Sequence, residues 1–283
     1  MFNGGLVSIR ELMEGLNPSE RKVAEFILAN PQKVVDLSIQ RLAELTGVSE
    51  ASIIRLTRSL NMKGYKELKL RLMGDLTNNL KDEQYQDINI GGSTESLIQA
   101  VSSNNKQSIE DTVAVLSPIE VEKAVKALCS ARKIAVYGVG ASAVIAEDIK
   151  QKFTRIGWWC DAYSDYHSQM TSATILTEQD VAFGVSYSGQ TEEIFSSLTE
   201  AKKQGAQIIT LTRFGPSPIA DLSDIKLFTS SVEKSIRSGA MASRIAQLNV
   251  IDILFVSIAS HKHHDVIPLL EKTRLIVKNT KRA

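Results

Sequence analysis

The sequence predicts two folded parts: an all-α amino-terminal domain of helix-turn-helix type and a three-layer α/β domain with a mainly parallel, five-stranded sheet. Three helical patterns in the first sixty residues, with a short glycine-containing turn between the second and third, predict the first part. Short apolar runs that alternate with helical segments beyond residue 130 predict the second. A chain of 283 residues with 43% hydrophobic content is long enough for both.

The composition excludes several classes of protein. A formal net charge of +1 excludes a globally basic protein, so any surface for nucleic acid must come from local clustering. The two cysteines, Cys129 and Cys160, lack the close spacing of a metal site or a disulfide framework. No signal sequence and no uninterrupted apolar run of about 18 residues is present. We therefore expect a cytoplasmic protein with no metal, no cofactor and no membrane partner.

The helices of the first domain are marked by their capping residues. The sequence Asn17-Pro18-Ser19-Glu20 starts the first helix, and Asn30-Pro31 ends it. A second helix starts near Ser38 and a third near Ser49. Gly47, between them, is placed to take a positive φ angle after the second helix. This order predicts a helix-turn-helix.

The third helix of this domain has an apolar side and a basic side. Three apolar residues face one way: Ile53, Leu56 and Leu60. Three others point outward: Ala51, Arg55 and Arg58. Between Arg55 and Arg71, six positive residues stand against Glu67 alone, a local charge of +5. Such clustering is what a surface that contacts phosphates needs, although a charge run is also typical of a solvated helix face.

The predicted DNA contacts fall into two groups. The start of a recognition helix reads base edges, which assigns that role to Ser49, Glu50, Ala51, Ser52 and Arg55. Three further cations are placed for the phosphate backbone: Arg58, Lys63 and Lys66. In a dimer, two such helices about one DNA turn apart require a palindromic operator.

Residues 48–56 (VSEASIIRL) and 64–69 (GYKELK) resemble the amino-terminal domain of the RpiR/MurR family of bacterial transcriptional regulators. Two positions, Leu56 and Tyr65, carry residues where the family usually has phenylalanine, and they keep the packing role. Asn61 stands where the family often has glycine, and asparagine tolerates the left-handed conformation. The resemblance implies a DNA-binding regulator.

The pattern divides the chain into four parts. We expect the helix-turn-helix domain over residues 1–76, a linker and connecting helix over 77–105, the α/β domain over 106–262 and a helical tail over 263–283. Five segments are predicted to form strands: Lys133–Gly138, Gly157–Ala162, Asp180–Val185, Gln207–Thr212 and Lys226–Thr229.

Two polar turns follow predicted strands. The first, residues 138–143 (GVGASA), has Gly140 for close backbone approach and Ser142 as a donor. The second, residues 186–193 (SYSGQTEE), opens a helix. Parallel sheets bind ligands at the carboxyl ends of their strands, and a helix start with hydroxyl donors suits a phosphate. A simple helix cap is the alternative for the second turn.

The first turn also fits the dinucleotide pattern G-x-G-x-x-A, which leaves a nicotinamide site open on that segment alone. The second hydroxyl-rich turn argues against it, because a dinucleotide fold needs no such turn after its third strand. A small phosphate gripped from two sides uses both turns.

Together, the two turns resemble the SIS domain, the sugar-isomerase fold found in sugar-phosphate isomerases and in regulators that sense sugar phosphates. The resemblance implies that the phosphate binds to hydroxyls in both turns: Ser142, Ser186, Ser188 and Thr191. It assigns Glu233 to the sugar hydroxyls or ring. Gly140 and Gly189 belong to the same predicted site.

Other residues invite a functional interpretation. His167 is a candidate to contact the sugar or act as a base, and a helix-start residue is the alternative. The spacing of His261, His263 and His264 does not place them on one helix face, which argues against a metal site. Trp158 and Trp159 are expected on opposite faces of a strand.

The sequence therefore favours a regulator whose DNA affinity responds to a phosphorylated sugar, such as N-acetylmuramic acid 6-phosphate or a related amino-sugar phosphate. We expect it to act as a homodimer or homotetramer, without enzymatic activity. A sugar-phosphate isomerase or lyase with an accessory helical domain is the alternative, because Glu233 and His167 could move protons. The basic recognition helix favours the regulator.

Overall fold

The computed structural model describes residues 4–77, 85–86, 88–89, 91–230 and 240–280. Helices α1–α14 are, in chain order, Gly5–Leu12, Pro18–Ala29, Pro31–Val34, Ile39–Thr46, Glu50–Ser59, Tyr65–Thr77, Thr94–Val115, Pro118–Ser130, Ala141–Arg155, Tyr166–Ala173, Glu192–Lys203, Pro218–Leu222, Met241–His261 and His263–Thr280. Strands β1–β5 are Ile134–Gly138, Cys160–Tyr163, Val181–Val185, Gln207–Arg213 and Ile225–Thr229.

The described residues divide into two compact units. The first runs to Val115 and takes in Ser230, and the second runs from Leu116 to Thr229 and resumes at residue 240. The division differs from the expected boundary at residue 106, because α7 continues through that point without a breaking residue. The helix stops where Ser117 accepts a hydrogen bond from the Glu120 N–H and starts α8.

The helix-turn-helix of the first unit is confirmed, together with its predicted caps. The side chains of Asn17, Ser38 and Ser49 each accept a hydrogen bond from a backbone N–H in the first turn of α2, α4 and α5. Gly47 has a φ of 64°, as the turn requires. The three helices pack on fully buried apolar side chains: Val23, Ile27, Leu42, Ile53 and Leu56. Three other helices of this unit were not predicted: α1, α3 and α6.

The amino-terminal end of α1 is held by a buried carboxylate on α6. Asp75 is 1% exposed, and its two oxygens accept the N–H groups of Gly4 at 2.5 Å and Leu6 at 2.8 Å. Carboxylates at a helix start satisfy its unpaired N–H groups and interact favourably with its dipole. Burial raises the pKa of Asp75, while these N–H donors oppose the shift.

The first unit also contains a buried cluster around Ser230. The Thr112 hydroxyl on α7 donates to the Ser230 carbonyl and accepts from the Ser230 N–H, both at 3.0 Å. The Ser230 hydroxyl donates to Glu11 of α1 at 2.5 Å. All three residues are buried, so this hydroxyl satisfies the carboxylate away from water.

The second unit is built on a sheet of five parallel strands in the order β2-β1-β3-β4-β5, which confirms the predicted α/β fold. Alternate residues of each strand face opposite layers. Val136 and Phe183 pack in the core with α8, α9, α13 and α14, whereas Ala135 and Ala182 pack with α10, α11 and α12. The sheet therefore lies between two helical layers.

The second strand begins later than predicted. After α9, the N–H of Trp158 donates back to the Phe153 carbonyl and Gly157 has a φ of 76°, so the chain is still ending a helix there. Strand β2 begins at Cys160. The two tryptophans do face opposite ways: the Trp158 ring lies 5.3 Å from that of Phe153, and Trp159 is 63% exposed.

Helix α13 is long and apolar enough, by length and composition, to cross a membrane. In the fold it packs as a core helix, because Val250, Leu254 and Ile258 are fully buried against the sheet layer. Arg244 and Asp252 interrupt its apolar sequence. The predicted carboxyl-terminal tail, α14, belongs to the same unit and buries Val266 in this core.

Replacing Asp75 with Ala should lower the free energy of unfolding by about 1–3 kcal/mol, because two buried N–H groups of α1 lose their acceptor. Chemical denaturation measures the change. Asp36→Ala, at an exposed position, is the matched control and should leave the midpoint near that of the wild type. Equal midpoints for the two variants would show that Asp75 does not hold α1.

Candidate nucleic-acid interface and anion site

Helix α5 presents a polar outer face that the buried side of the helix holds in place. Ile53 and Leu56 are fully buried, and Leu60 is 2% exposed, as the helical wheel predicts. The outward residues are exposed: Glu50, Ala51, Arg55 and Arg58. Asn61 has a φ of 55° after the helix, so it adopts the expected left-handed conformation.

The structure places Ser52 differently from its neighbours. Ser52 is only 3% exposed. Its hydroxyl lies 3.0 Å from the Ser49 hydroxyl and accepts a hydrogen bond from Arg55 at 2.8 Å. Both serine hydroxyls therefore bond within the helix start. Of the five residues assigned to base edges, Ser52 is buried and the other four are exposed.

The basic cluster contains cations with different surroundings. Lys69 donates to the Leu37 carbonyl at 3.0 Å, and Arg71 pairs with Glu67 at 2.8 Å, so both are engaged within the fold. Lys63 and Lys66 are exposed, as is Arg58. These three stay candidates for phosphate contacts.

In the second unit, the sheet order brings the two polar turns to one place. Strands β1 and β3 are neighbours, and their last residues, Gly138 and Val185, are partners in the register. The chain leaves β1 toward β2 and leaves β3 toward β4, on opposite sides. The turns that begin at Val139 and Ser186 therefore diverge from adjacent strand ends, which is the switch point where such sheets bind ligands.

The first turn is shaped by two glycines. Gly140 precedes α9 with a φ of 58° and no side chain to cap the helix. A Cβ atom on Gly138 would lie 2.5 Å from the Ser142 carbonyl oxygen, so only glycine lets the turn close this tightly. Ser142, half-buried in the first turn of α9, donates its own N–H to the Val139 carbonyl.

The second turn pairs two of its hydroxyls. The hydroxyl of Ser186, which is 2% exposed, lies 2.9 Å from that of Thr191. Thr191 occupies the cap position of α11, yet its side chain makes no capping hydrogen bond. Ser188 is exposed and accepts the Gln190 N–H at 3.2 Å. The simple helix-cap explanation of Thr191 is therefore not what the structure shows.

Ser217 supports this second turn and was missed from the sequence. Gly189 has a φ of 66°, and a Cβ atom there would lie 2.2 Å from the Ser217 hydroxyl oxygen. The Ile219 N–H donates to the Gly189 carbonyl at 3.2 Å, which fixes the two segments together. The only local signal was a serine before Pro218, which indicates a helix start and says nothing of this contact.

Other predicted site residues lie apart from these contacts. Glu233 is outside the described residues. His167 is exposed in the first turn of α10, where Asp165 caps the helix. The rings of His263 and His264 are in contact, with centroids 3.8 Å apart and planes tilted by 41°. Within the described parts of the chain, no three histidine, cysteine or acidic residues form a group that could hold a metal ion.

Known families match both units. A helix-turn-helix domain of the rpiR family matches residues 3–79, and a SIS domain matches residues 127–257. An uncharacterized HTH-type transcriptional regulator of Caldanaerobacter subterraneus is 46% identical over 280 residues, which cover 98% of both chains. The chain belongs to the RpiR family of transcriptional regulators.

Two further proteins are similar over nearly the whole chain. YbbH, an uncharacterized HTH-type transcriptional regulator of Bacillus subtilis, is 35% identical and covers 99% of both chains. The solved structure of Vibrio vulnificus NanR in complex with ManNAc-6P is 27% identical, covers 98% of both chains and has a TM-score of 0.62. The two family matches confirm the predicted family and its order of a DNA-binding helix-turn-helix domain followed by a SIS domain.

Replacing Gly189 with Ala should lower the free energy of unfolding by about 1–3 kcal/mol, because alanine is strained at this positive φ and its Cβ meets Ser217. Thermal or chemical denaturation measures the loss. Gly15→Ala is the matched control, because its Cβ would meet open space without a positive φ. A Gly189→Ala protein as stable as this control would contradict the tight packing of the turn.

Proposed function

We propose that this RpiR-family regulator binds a sugar phosphate between its two polar turns and that the bound ligand changes its affinity for an operator. The adjacency of the turns at the ends of β1 and β3 carries the proposal. Each turn leads into a helix, so backbone N–H groups at two helix starts and several hydroxyls are available to one anion in this proposal.

The phosphate ligands in this proposal come from both turns: Gly140, Ser142, Ser186, Ser188, Gly189 and Thr191. The hydrogen-bonded pair of Ser186 and Thr191 hydroxyls is pre-formed, with Ser186 buried and Thr191 half-buried, which lowers the entropic cost of ordering them around a ligand. Glu233 is proposed to contact the sugar. None of these contacts requires a metal or a cofactor.

The proposed effector class is an amino-sugar phosphate. NanR, similar over the whole chain, is described in complex with ManNAc-6P. N-acetylmannosamine 6-phosphate and N-acetylmuramic acid 6-phosphate share the phosphate and the acetylated amino group of this class. The turns bind the phosphate and leave the choice of sugar to Glu233 and its neighbours.

On the DNA side, we propose that α5 enters the major groove of a palindromic operator as part of a homodimer or homotetramer in the cytoplasm. Ligand and operator are then linked thermodynamically, so each changes the affinity of the protein for the other by the same factor.

A sensor of this kind needs binding without turnover. The alternative, an isomerase or lyase, requires a base beside the bound sugar.

Replacing Ser188 and Thr191 together with Ala should remove the response to sugar phosphate while operator binding persists. Both hydroxyls lie in the second turn, and the affinity loss expected for two hydrogen bonds to a charged group is at least about tenfold. Calorimetric titration and a DNA-binding assay measure the two effects. Thr199→Val, a hydroxyl loss on the same helix α11, is the control. A response that survives in the double variant would place the effector elsewhere.

A panel of sugar phosphates should raise the apparent melting temperature of the wild type, because a ligand that binds the native state stabilises it. The panel should include both amino-sugar phosphates, glucose 6-phosphate and inorganic phosphate. The strongest ligand is then incubated with the protein, and its products are analysed. We expect binding without turnover, whereas steady product formation would favour the isomerase or lyase.

A further inference from the structure

Arg55, the outward cation in the middle of α5, is held from its inner side by two partners. Its Nε atom lies 3.7 Å from an Oε1 carboxylate oxygen of Glu20 on α2, and its Nη2 atom donates to the Ser52 hydroxyl at 2.8 Å. The Glu20 side chain is 8% exposed, whereas that of Arg55 is 54% exposed. A buried carboxylate and a buried hydroxyl thus hold the base of an exposed guanidinium.

This arrangement leaves one side of the guanidinium available. Arginine has five N–H donors in a planar fork. One Nη2 hydrogen is donated to Ser52, and the Nε side faces the Glu20 carboxylate as an ion pair. The Nη1 group and the second Nη2 hydrogen remain for an outside partner. Two such donors match the O6 and N7 acceptors of guanine in the major groove.

The same arrangement changes the charge that Arg55 presents to DNA. Non-specific affinity depends on the number of phosphates that protein cations neutralise. A guanidinium beside a buried carboxylate adds little net charge, so it attracts the phosphate backbone less than Arg58 does. Holding the fork in place also reduces the entropy lost on binding a particular base.

We propose that Glu20 is a positioning residue for sequence recognition: it directs Arg55 toward base edges and suppresses its attraction to the phosphate backbone. The Ser52 hydroxyl also orients the Arg55 guanidinium, but it does not offset the guanidinium charge. The inference rests on α5 being the recognition helix. A purely structural role for Glu20 is also testable, because a carboxylate in the first turn of α2 favours the helix start.

The test compares two duplexes of equal length, one selected by the wild-type protein from a random-sequence library and one with its sequence scrambled. Dissociation constants are measured across a salt series for the full-length wild type and for Glu20→Gln. We expect Glu20→Gln to bind the scrambled duplex more tightly, with a salt slope steeper by about one. The preference for the selected duplex should fall about tenfold, the scale of one lost base contact.

Two variants separate the effects of charge and direction. Ser52→Ala should lower the preference for the selected duplex and leave the salt slope unchanged, because it removes no charge. It also tests the proposal independently if Glu20→Gln fails to fold. Glu44→Gln is the matched control, because Glu44 pairs with exposed Arg41 at 2.6 Å on α4. Its loss should strengthen binding to both duplexes alike and leave the preference unchanged.

Arg55→Ala and Arg58→Ala show whether a negative result concerns the role of Glu20 or the assignment of α5 as the recognition helix. If Arg55→Ala and Arg58→Ala bind both duplexes like the wild type, α5 does not read DNA, and this inference falls with that assignment. If Arg55→Ala loses the preference while Glu20→Gln and Ser52→Ala keep it, only the positioning role is overturned. A change in melting temperature without a change in preference would also overturn it and assign Glu20 a structural role.

Discussion

Parallel pairing of β1 with β3 is the constraint on which the proposed effector site depends. These strands are central in the sheet and far apart in sequence, and every residue of both is buried. Because the connections that leave them run to opposite sides, a crevice opens between the two following turns without any loop having to be long. The proposed site needs glycines for close backbone approach and hydroxyls as donors. Both must lie in the two turns, because the ends of β1 and β3 fix where those turns begin.

The recognition surface depends on a more local set of interactions. Each helix of the helix-turn-helix starts with its own polar cap, and the buried residues of α5 fix which residues face outward. Such features follow from spacings of three and four residues, so they could be predicted from the sequence. The caps at Asn17, Ser38 and Ser49 and the turn at Gly47 were predicted for this reason. The five strands and the parallel sheet were predicted from short apolar runs that alternate with helical segments, but the order of the strands in the sheet was not.

What could not be predicted depends on contacts between segments distant in sequence. Ser52 was predicted to face DNA because it is polar and lies at the start of α5. It is buried in the structure, where α2 packs on α5. Ser217 meets Gly189 only because β4 pairs with β3 and delivers the next turn to that place. Helix α7 continues to Val115 and packs in the first unit, whereas the predicted domain boundary lies at residue 106. A periodic apolar pattern predicts where a helix forms, but it does not predict which unit the helix packs in.

The cluster of Ser230, Thr112 and Glu11 means that the first unit is not one continuous stretch of chain. A fragment cut after Val115 would keep Glu11 and Thr112 but lose the residue that bonds both. Glu11 is buried, so the loss of one of its hydrogen-bond donors is costly. A separately expressed fragment that ends at Val115 therefore lacks part of the buried interior of the first unit, and we expect it to be less stable than that unit is in the whole chain.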